Sequence, residues 1–206
     1  MTIYALKGRF QDVLRPFVGW LAKAGVTANQ VTIAACVLCL LVGAFVTWQA
    51  HAAWVFLIVP VTFQIRMGLN AADGMLAREF GHKSHLGAYL NEICDVMSDA
   101  ALSAPFALLA PFGPAWMGAV IVLAALTEFA GVLGPTVGAS RRYDGPMGKS
   151  DRAVVFGALG LWIGIGGPVP DWLVWLAALL VALLLLTIVN RVRAGLHEAS
   201  QTAGEA

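Results

Sequence analysis

The sequence has little charge, and this scarcity limits what kind of protein it encodes. Only 12% of its 206 residues are charged, 59% are hydrophobic, and the mean hydropathy is +0.78. Such a composition is far too apolar for a water-soluble domain. The formal net charge of +1 gives no electrostatic support for nucleic-acid binding. The composition therefore predicts an integral membrane protein whose surroundings are the lipid bilayer, with no nucleic-acid partner.

Cysteines are few, and the first residues do not follow the pattern of a signal peptide. Cys36, Cys39 and Cys94 all fall in apolar segments, so we interpret them as small apolar residues and not as a redox or zinc site. Charges interrupt residues 1–25, whereas a signal peptide has an uninterrupted apolar region. Apolar residues recur there at helical spacing, which predicts an amphipathic helix at the membrane interface. A soluble helix docked on the rest of the chain is the alternative.

Long apolar segments fill the rest of the chain. There are six, at about 30–49, 53–78, 87–110, 114–137, 152–167 and 171–191. A membrane span needs about 20 residues, and only the fifth segment is clearly short of this length. We therefore predict an all-α integral membrane protein, with six transmembrane helices in one domain at residues 26–193 and a cytoplasmic tail at 194–206. Thr27 and Gln30 supply a helix start for the first span.

Lysines and arginines concentrate at one end of these predicted helices. Apart from Arg66 and Arg78, they fall in the N-terminal helix, the 79–86 turn, the 138–152 loop or the C-terminal tail. The positive-inside rule places this end, and with it both termini, in the cytoplasm. Five tryptophans cluster at the opposite helix ends, as in an interfacial aromatic belt: Trp48, Trp54, Trp116, Trp172 and Trp175.

One polar stretch, from Asn70 to Asp99, interrupts the apolar sequence. If it forms two helices, Asn70 and Asp73 share a face of the first, because residues three and four apart stack on a helix. Asn91, Asp95 and Asp99 repeat every four residues along the second. Converging oxygen ligands suit the hard cations Mg²⁺, Mn²⁺ or Ca²⁺, and carboxylates inside a membrane are functional by default. The alternative is a polar stripe that only joins packed helices by hydrogen bonds.

The same stretch resembles the signature of the CDP-alcohol phosphotransferase family, Asp-x2-Asp-Gly-x2-Ala-Arg-x8-Gly-x3-Asp-x3-Asp. Its second and fourth acids correspond to Asp73 and Asp95, and every interval is intact. The small and basic positions of the signature also match: Gly74, Ala77, Arg78 and Gly87. Asn70 and Asn91 replace the first and third acids, as in a bacterial branch of the family. Both departures fall on positions that bind metal in the family.

The resemblance implies an enzyme that moves a phosphatidyl group from CDP-diacylglycerol to a hydroxyl acceptor and releases CMP. It implies Mg²⁺ or Mn²⁺ held by Asn70, Asp73, Asn91 and Asp95, with Asp95 also the general base. It assigns the CDP-alcohol donor to Gly74, Ala77, Arg78 and Gly87. It further implies a multi-pass protein of the bacterial inner membrane, a cytoplasmic active site and a homodimer.

Two other functions stay open from the sequence. One is transfer of a small CDP-linked head group to diacylglycerol. The other is a weakly active or non-catalytic family member that binds lipid or nucleotide, or that scaffolds lipid enzymes. Asn70 and Asn91 favour the second, because amides coordinate metal without charge, while Asp95 and Arg78 argue against it. Glu92, on the edge of the same helix face, would partly restore the missing charge.

A second basic cluster follows the fourth predicted span, at Arg141, Arg142, Lys149 and Arg152. One interpretation is a phosphate site for an anionic acceptor such as a polyol phosphate, since family members that use such acceptors carry basic residues in this region. The other is positive-inside topology with contacts to anionic lipid. We interpret His82 and His85, in the turn between the two motif halves, as solvated loop residues and not as metal ligands.

Arg66 is the basic residue that membrane orientation does not explain. A guanidinium cannot lose its proton, so at that depth it requires an anion at its own level. We predict that Arg66 pairs with Asp99 first and with Glu128 second. Together these side chains would form a buried floor beneath the metal site.

Overall fold

The computed structural model describes residues 3–204, and the side chains of residues 10–201. Seven α-helices follow one another in this range: α1 Ile3–Lys23, α2 Ala28–Trp48, α3 Ile58–Glu79, α4 His85–Ser103, α5 Gly113–Val132, α6 Lys149–Gly164 and α7 Val174–Gly204. Short 3₁₀ turns lie at Ala53–Leu57, Ala104–Leu108, Gly134–Val137 and Asp171–Leu173. None of these described residues forms a strand. The outermost parts of the predicted N-terminal helix and tail, residues 1–2 and 205–206, lie outside the described residues.

The predicted all-α membrane fold is confirmed, and each of the six apolar segments is helical. Four helical segments are long and apolar enough to cross a membrane: Ala28–Trp48, Ala53–Glu79, Gly113–Val132 and Asp171–Gln201. α4 carries three acidic side chains and α6 has only 16 residues, so neither meets the same criteria. Six spans therefore stay a prediction. α7 continues to Gly204, through most of the predicted tail.

Side-chain caps fix where three of these helices begin. Thr27 accepts a hydrogen bond from the Gln30 amide at 3.3 Å, and the Gln30 side chain accepts one from the Thr27 amide at 2.9 Å. This capping box confirms the helix start read from the sequence. Ser84 caps α4 by accepting from the Gly87 amide at 2.9 Å, and the Asp151 carboxylate accepts from the Gly148 amide at the start of α6.

Two apolar cores lie at different levels along α3. The larger core joins α2 to α7, and in it Phe106 packs between Phe56 and Phe156 with ring centroids 5.3 and 5.2 Å away. The smaller core packs α1 and the first turns of α2 against the last turns of α3, through residues such as Val18 and Met75. Polar residues of α3, among them Arg66 and Asn70, occupy the interval between the two cores, and the rest of the motif follows beside the smaller core.

A glycine in α2 allows the close helix crossing that supports this interval. A Cβ added at Gly43 would lie 2.2 Å from the carbonyl oxygen of Ala101 in α4. Because that neighbour is backbone, it cannot move aside as a side chain would. Gly43 thus lets α2 pack directly on α4, the helix that carries the second half of the motif.

α1 has one apolar face packed on α3 and another that is exposed. Val18 is fully buried, while Val13, Phe17 and Trp20 are exposed. Phe17 and Trp20 stack with ring centroids 6.1 Å apart. The helix thus docks on the bundle and also keeps the apolar face that an interfacial position requires. Its place at the membrane surface stays a prediction.

Candidate active site

A cavity of about 670 Å³ opens where α3 turns back into α4. Its wall includes six of the eight motif positions: Asp73, Gly74, Ala77, Arg78, Gly87 and Asn91. Asn70 and Asp95 are not part of this wall. The sequence motif therefore forms a real cavity, but it does not bring all four predicted metal ligands to it.

Asp73 stands on the cavity wall as a buried carboxylate with a fixed partner. Only 7% of the residue is exposed, and the Thr32 hydroxyl in α2 donates to its Oδ2 at 2.7 Å. A buried carboxylate needs such donors, because burial removes the water that would otherwise solvate it. The sequence analysis did not identify Thr32 as a site residue. A hydroxyl within an otherwise apolar predicted span was the available signal.

Two motif glycines leave space that a side chain would fill. A Cβ at Gly74 would lie 3.0 Å from Nη2 of Arg78, so the glycine lets that guanidinium fold over the cavity. A Cβ at Gly87 would lie 2.7 Å from Oδ1 of Asn29 and 3.0 Å from the Ser84 hydroxyl. Gly87 therefore permits the start of α4 to pack against the start of α2. Asn29 and Ser84 join there by a hydrogen bond of 3.4 Å.

The cavity wall carries polar groups that the protein itself leaves uncommitted. Within residues 10–201, neither Arg78 nor Lys83 lies within 4.0 Å of a carboxylate oxygen. His82, predicted to be a solvated loop residue, is half-buried on this wall, and its Nδ1 is buried with no hydrogen-bond partner among the described residues. The loop position of His82 agrees with that prediction, but its partial burial does not, because the turn folds inward over the cavity. His85, exposed on the same wall, agrees with it.

Asp95 lies behind the cavity and already has three side-chain donors. Lys149 Nζ lies 2.5 Å from its Oδ2, and Arg66 Nη2 lies 3.0 Å from its Oδ1. The Asn70 amide donates to the same Oδ1 at 3.2 Å. The four predicted metal ligands thus divide into two pairs. Asp73 and Asn91 line the cavity, while Asn70 and Asp95 bind each other beside Lys149.

The predicted pairing of Arg66 is confirmed for its first partner and wrong for its second. Arg66, 3% exposed, donates to Asp99 as expected, but its second carboxylate is Asp95 and not Glu128. Both aspartates lie on one face of α4, a turn apart, so one guanidinium spans them. Glu128 in α5 accepts instead from Arg152 at 3.0 Å.

Arg152 belongs to this buried floor and not to an open loop. It is 4% exposed and donates twice to Oδ2 of Asp99, at 2.6 and 3.1 Å. Its other donors reach Glu128, the Thr127 hydroxyl at 3.2 Å and the Met147 carbonyl at 3.3 Å. Arg191 of α7, which the sequence analysis did not single out, adds a further contact to Glu128 at 3.3 Å.

The remaining cations of the predicted acceptor cluster point to separate carboxylates. Arg141 pairs with Glu92 and stacks 4.8 Å over the Tyr143 ring. Arg142 donates to Asp144 at 2.9 and 3.1 Å, and these hydrogen bonds lower the pKa of the Asp144 carboxyl below its ordinary value. The four residues therefore do not converge on one empty space.

The donor set of the cavity suits one hard cation. In the described part of the chain, no three His, Cys, Asp or Glu side chains come together as a metal-binding group. Asp73 and Asn91 provide a carboxylate and an amide oxygen on the wall, and Mg²⁺ is commonly bound by one or two carboxylates plus substrate phosphates. Asp95 has less negative charge to offer, because Lys149 and Arg66 already neutralise it.

Comparison with known proteins agrees with the motif and the fold. A family model for CDP-alcohol phosphatidyltransferase matches residues 25–189. The Inner membrane protein YnbA of Escherichia coli (strain K12) is 45% identical over 196 residues, which cover 94% of this chain and 96% of that protein.

Two crystal structures of Mycobacterium tuberculosis phosphatidylinositol phosphate synthase have the same fold at 20% identity. The one with CDP-DAG bound superposes with a TM-score of 0.72, covering 89% of this chain and 92% of that one. The one in complex with manganese and citrate gives a TM-score of 0.71, covering 89% and 87%.

Proposed function

Because this chain belongs to the CDP-alcohol phosphatidyltransferase family of membrane phosphotransferases, we propose that it moves a phosphatidyl group from CDP-diacylglycerol to a hydroxyl acceptor and releases CMP. The cavity carries this proposal. Its wall presents Arg78 and Lys83, two cations without a carboxylate partner in the described range, next to the small residues Gly74 and Ala77. A diphosphate requires cations that the protein has not already neutralised. A structure of similar fold was solved with CDP-DAG bound.

The small residues and the cations have separate roles in this proposal. Gly74 and Ala77 leave room for the cytidine and the diphosphate, and Gly87 holds α4 close to α2 at the cavity mouth. Arg78 pairs with phosphate oxygens of the donor, and its charge balances that of the departing CMP. His82 offers its unpartnered ring nitrogen to the nucleotide.

Asp73 and Asn91 would hold the divalent cation, Mg²⁺ or Mn²⁺, together with phosphate oxygens of the donor. When bound, the cation neutralises the diphosphate and polarises the phosphorus that is attacked. The pair supplies one negative charge, so we expect weaker metal binding than at a site built from aspartates alone. A manganese complex is known for the fold relative.

Asp95 is the proposed acceptor of the proton. The acceptor oxygen bonds to the phosphatidyl phosphorus, the bond from that phosphorus to the CMP oxygen breaks, and the hydroxyl proton passes to Asp95. Lys149 and Arg66 keep the carboxylate ionised and oriented, but they also make it a weaker base. The side chain of Lys149 is 35% exposed and that of Arg66 only 4%. We therefore expect Lys149 to move to a donor phosphate and free Oδ2 of Asp95.

The proposed setting is the bacterial inner membrane, with the cavity and both termini in the cytoplasm. The 45% identical relative is an inner membrane protein. The cavity lies at the end of the bundle that carries the 79–86 turn and the 138–152 loop, where the basic residues concentrate. The homodimer that the family resemblance implies stays a prediction.

A second candidate function is ligand binding without turnover. The three donors on Asp95 favour it, because a carboxylate so neutralised accepts a proton poorly. In that case the cavity binds CDP-alcohol or lipid, and the chain supports other lipid enzymes.

The deciding experiment is CMP release by the purified protein in vesicles that contain CDP-diacylglycerol and a mixture of alcohols, with and without Mg²⁺ or Mn²⁺. The proposal expects metal-dependent CMP and a new phospholipid, and neither from Asp95→Asn. Binding of CDP without CMP release would favour the non-catalytic function. Labelled CDP-linked head groups with diacylglycerol, assayed in parallel, separate the two possible donors.

A further inference from the structure

The cations on the acceptor side of the site differ from Arg78 and Lys83 because each one contacts a carboxylate. The contacts are Arg141 with Glu92, Arg142 with Asp144 and Glu198, Lys149 with Asp95, and Arg152 with Asp99 and Glu128. Arg191 contacts Glu128 as well. The positive charges of this basic sequence cluster are thus neutralised by carboxylates of the protein itself.

Most of these ion pairs join into one continuous row across five helices. Cations and carboxylates alternate along it in the order Lys149, Asp95, Arg66, Asp99, Arg152, Glu128, Arg141 and Glu92, with Arg191 as a branch at Glu128. Five cations face four carboxylates, so the row is nearly neutral. A phosphate dianion would find little unbalanced positive charge here.

The inner members of the row cannot simply exchange a carboxylate for a phosphate. Asp99 and Glu128 are each 7% exposed, and Arg152 and Arg191 are 4% and 2% exposed. A carboxylate displaced from its arginine would stay buried without a partner, which is far more costly than losing a surface pair. Glu128 would also repel an incoming anion at the same arginines.

We infer that the acceptor carries no phosphate monoester and is an uncharged polyol or similar neutral alcohol, an inference that rests on the proposed transferase function. Glu92 and Arg141 lie side by side on the cavity wall, about half-buried and paired with each other. Their carboxylate accepts and their guanidinium donates hydrogen bonds, which suits neighbouring hydroxyl groups. A phosphorylated acceptor would meet the Glu92 charge at the entrance.

Matched acceptor pairs test the inference directly. The purified protein in CDP-diacylglycerol vesicles receives glycerol or glycerol 3-phosphate, and inositol or inositol phosphate, at equal concentrations, and the lipid products are identified by mass. We expect the neutral member of a pair to react faster by about tenfold or more, because the anionic member would be placed against the Glu92 carboxylate. A phosphorylated member that reacts as fast as its neutral partner, or faster, overturns the inference.

A binding measurement separates this inference from the transferase proposal. With the donor cavity saturated by CDP, inorganic phosphate is titrated and the thermal unfolding midpoint is followed. We expect no shift in the wild type and a rise in Glu128→Gln, where Arg152 and Arg191 lose a shared carboxylate. Asp171→Asn, which removes a carboxylate at the opposite end of α7, is the matched control and should behave as wild type.

Each outcome of the two experiments has a defined meaning. If no alcohol gives a product, the transferase function is contradicted. The phosphate titration then decides alone whether the ion pairs exclude a phosphate. Stabilisation of the wild type by phosphate overturns that inference. If Glu128→Gln does not fold, Glu92→Gln replaces it, because it releases the more exposed Arg141. If phosphate raises the thermal unfolding midpoint of Glu92→Gln no more than that of the wild type, this result also counts against the inference.

Discussion

The motif cavity and the row of ion pairs follow one another along the same face of α4, with Glu92 and Arg141 shared between them, and they use charge in opposite ways. On the cavity side, Arg78 and Lys83 face open space without a carboxylate in the described range. In the inner part of the row, Arg66, Arg152 and Arg191 are almost fully buried and each contacts at least one acid. Unpaired cations are suited to bind a ligand, whereas paired ones fix helices to one another. Basic residues of one protein can therefore serve either ligand binding or helix packing.

The largest expected effect comes from Asp95, where the two regions meet. Asp95→Asn should lower the rate of CMP release by about 10²–10⁴-fold, because it removes the proposed proton acceptor. CDP should still bind, since Asp95 is not on the cavity wall. Turnover and CDP-dependent thermal shift are measured on the same preparation, with Asp171→Asn as control. Retention of more than about a tenth of the rate would show that Asp95 is not the base.

Stability should depend most on the buried row. Asp99→Ala leaves Arg66 and Arg152 without a shared partner, and we expect a loss of about 3–5 kcal/mol in the free energy of unfolding. The double variant Arg66→Ala/Asp99→Ala should recover part of this loss, because one of the stranded charges is gone. Denaturant unfolding in a fixed detergent measures both. An Asp99→Ala protein as stable as wild type would refute a structural role for the row.

Donor binding should depend on the space at Gly74. Gly74→Leu is expected to weaken CDP binding by about tenfold or more, equivalent to ~1.4 kcal/mol, with a small change in stability. Gly68→Leu is the matched control in the same helix, because a Cβ at Gly68 meets no atom within 4 Å. Equal CDP affinity in the two variants would place the nucleotide elsewhere.

Metal dependence should distinguish the two asparagines. Asn91→Asp adds a charge beside Asp73 on the cavity wall, so it should lower the metal concentration for half-maximal activity by roughly severalfold. Asn70→Asp should change it less, because Asn70 hydrogen bonds to Asp95 beside Lys149. Titration of Mn²⁺ against CMP release measures both. An Asn70→Asp effect larger than that of Asn91→Asp would mean that the metal binds on the Asp95 side.

The smallest effect should come from the exposed pair of Arg142 and Asp144. The pKa of the Asp144 carboxyl is lowered in the folded protein. Asp144 therefore stabilises the protein at pH values above the ordinary carboxyl pKa, and this stabilisation is lost as the pH falls through the lowered pKa. Asp144→Asn should cost less than about 1 kcal/mol at neutral pH, because the pair is partly exposed. The difference from wild type should vanish in acid. A difference that persists there would indicate a role other than charge.

The fold and most of the cavity wall were readable from the sequence. Apolar segment lengths predicted the helices and the Thr27 cap predicted the start of α2. The motif predicted six residues of the cavity wall, although Asn70 and Asp95 do not reach it. The burial requirement of a guanidinium also identified Asp99 as the partner of Arg66. These predictions succeeded because they depend on neighbours along one or two adjacent helices.

The contacts of the second basic cluster were not readable in the same way. Arg141, Arg142, Lys149 and Arg152 look alike in sequence, but three of them meet different carboxylates of α4 and Arg142 meets Asp144, two residues away. Which acid meets which base is set by the packing of helices distant in sequence, as with Arg191 and Glu128. Local spacing carries no information on such pairing. For the same reason, the sequence did not show that the turn folds inward and partly buries His82.

The order of charges along the chain has a consequence for how the protein enters the membrane. Arg66 in α3 precedes its acids in α4, and Glu128 in α5 precedes its arginines in α6 and α7. A helix inserted alone would expose an uncompensated charge to lipid, at a cost that its partner helix removes. Successive helices should therefore leave the translocon together, α3 with α4 and α5 with α6. If synthesis stopped after α3, Arg66 would lack the carboxylates of α4 that balance its charge.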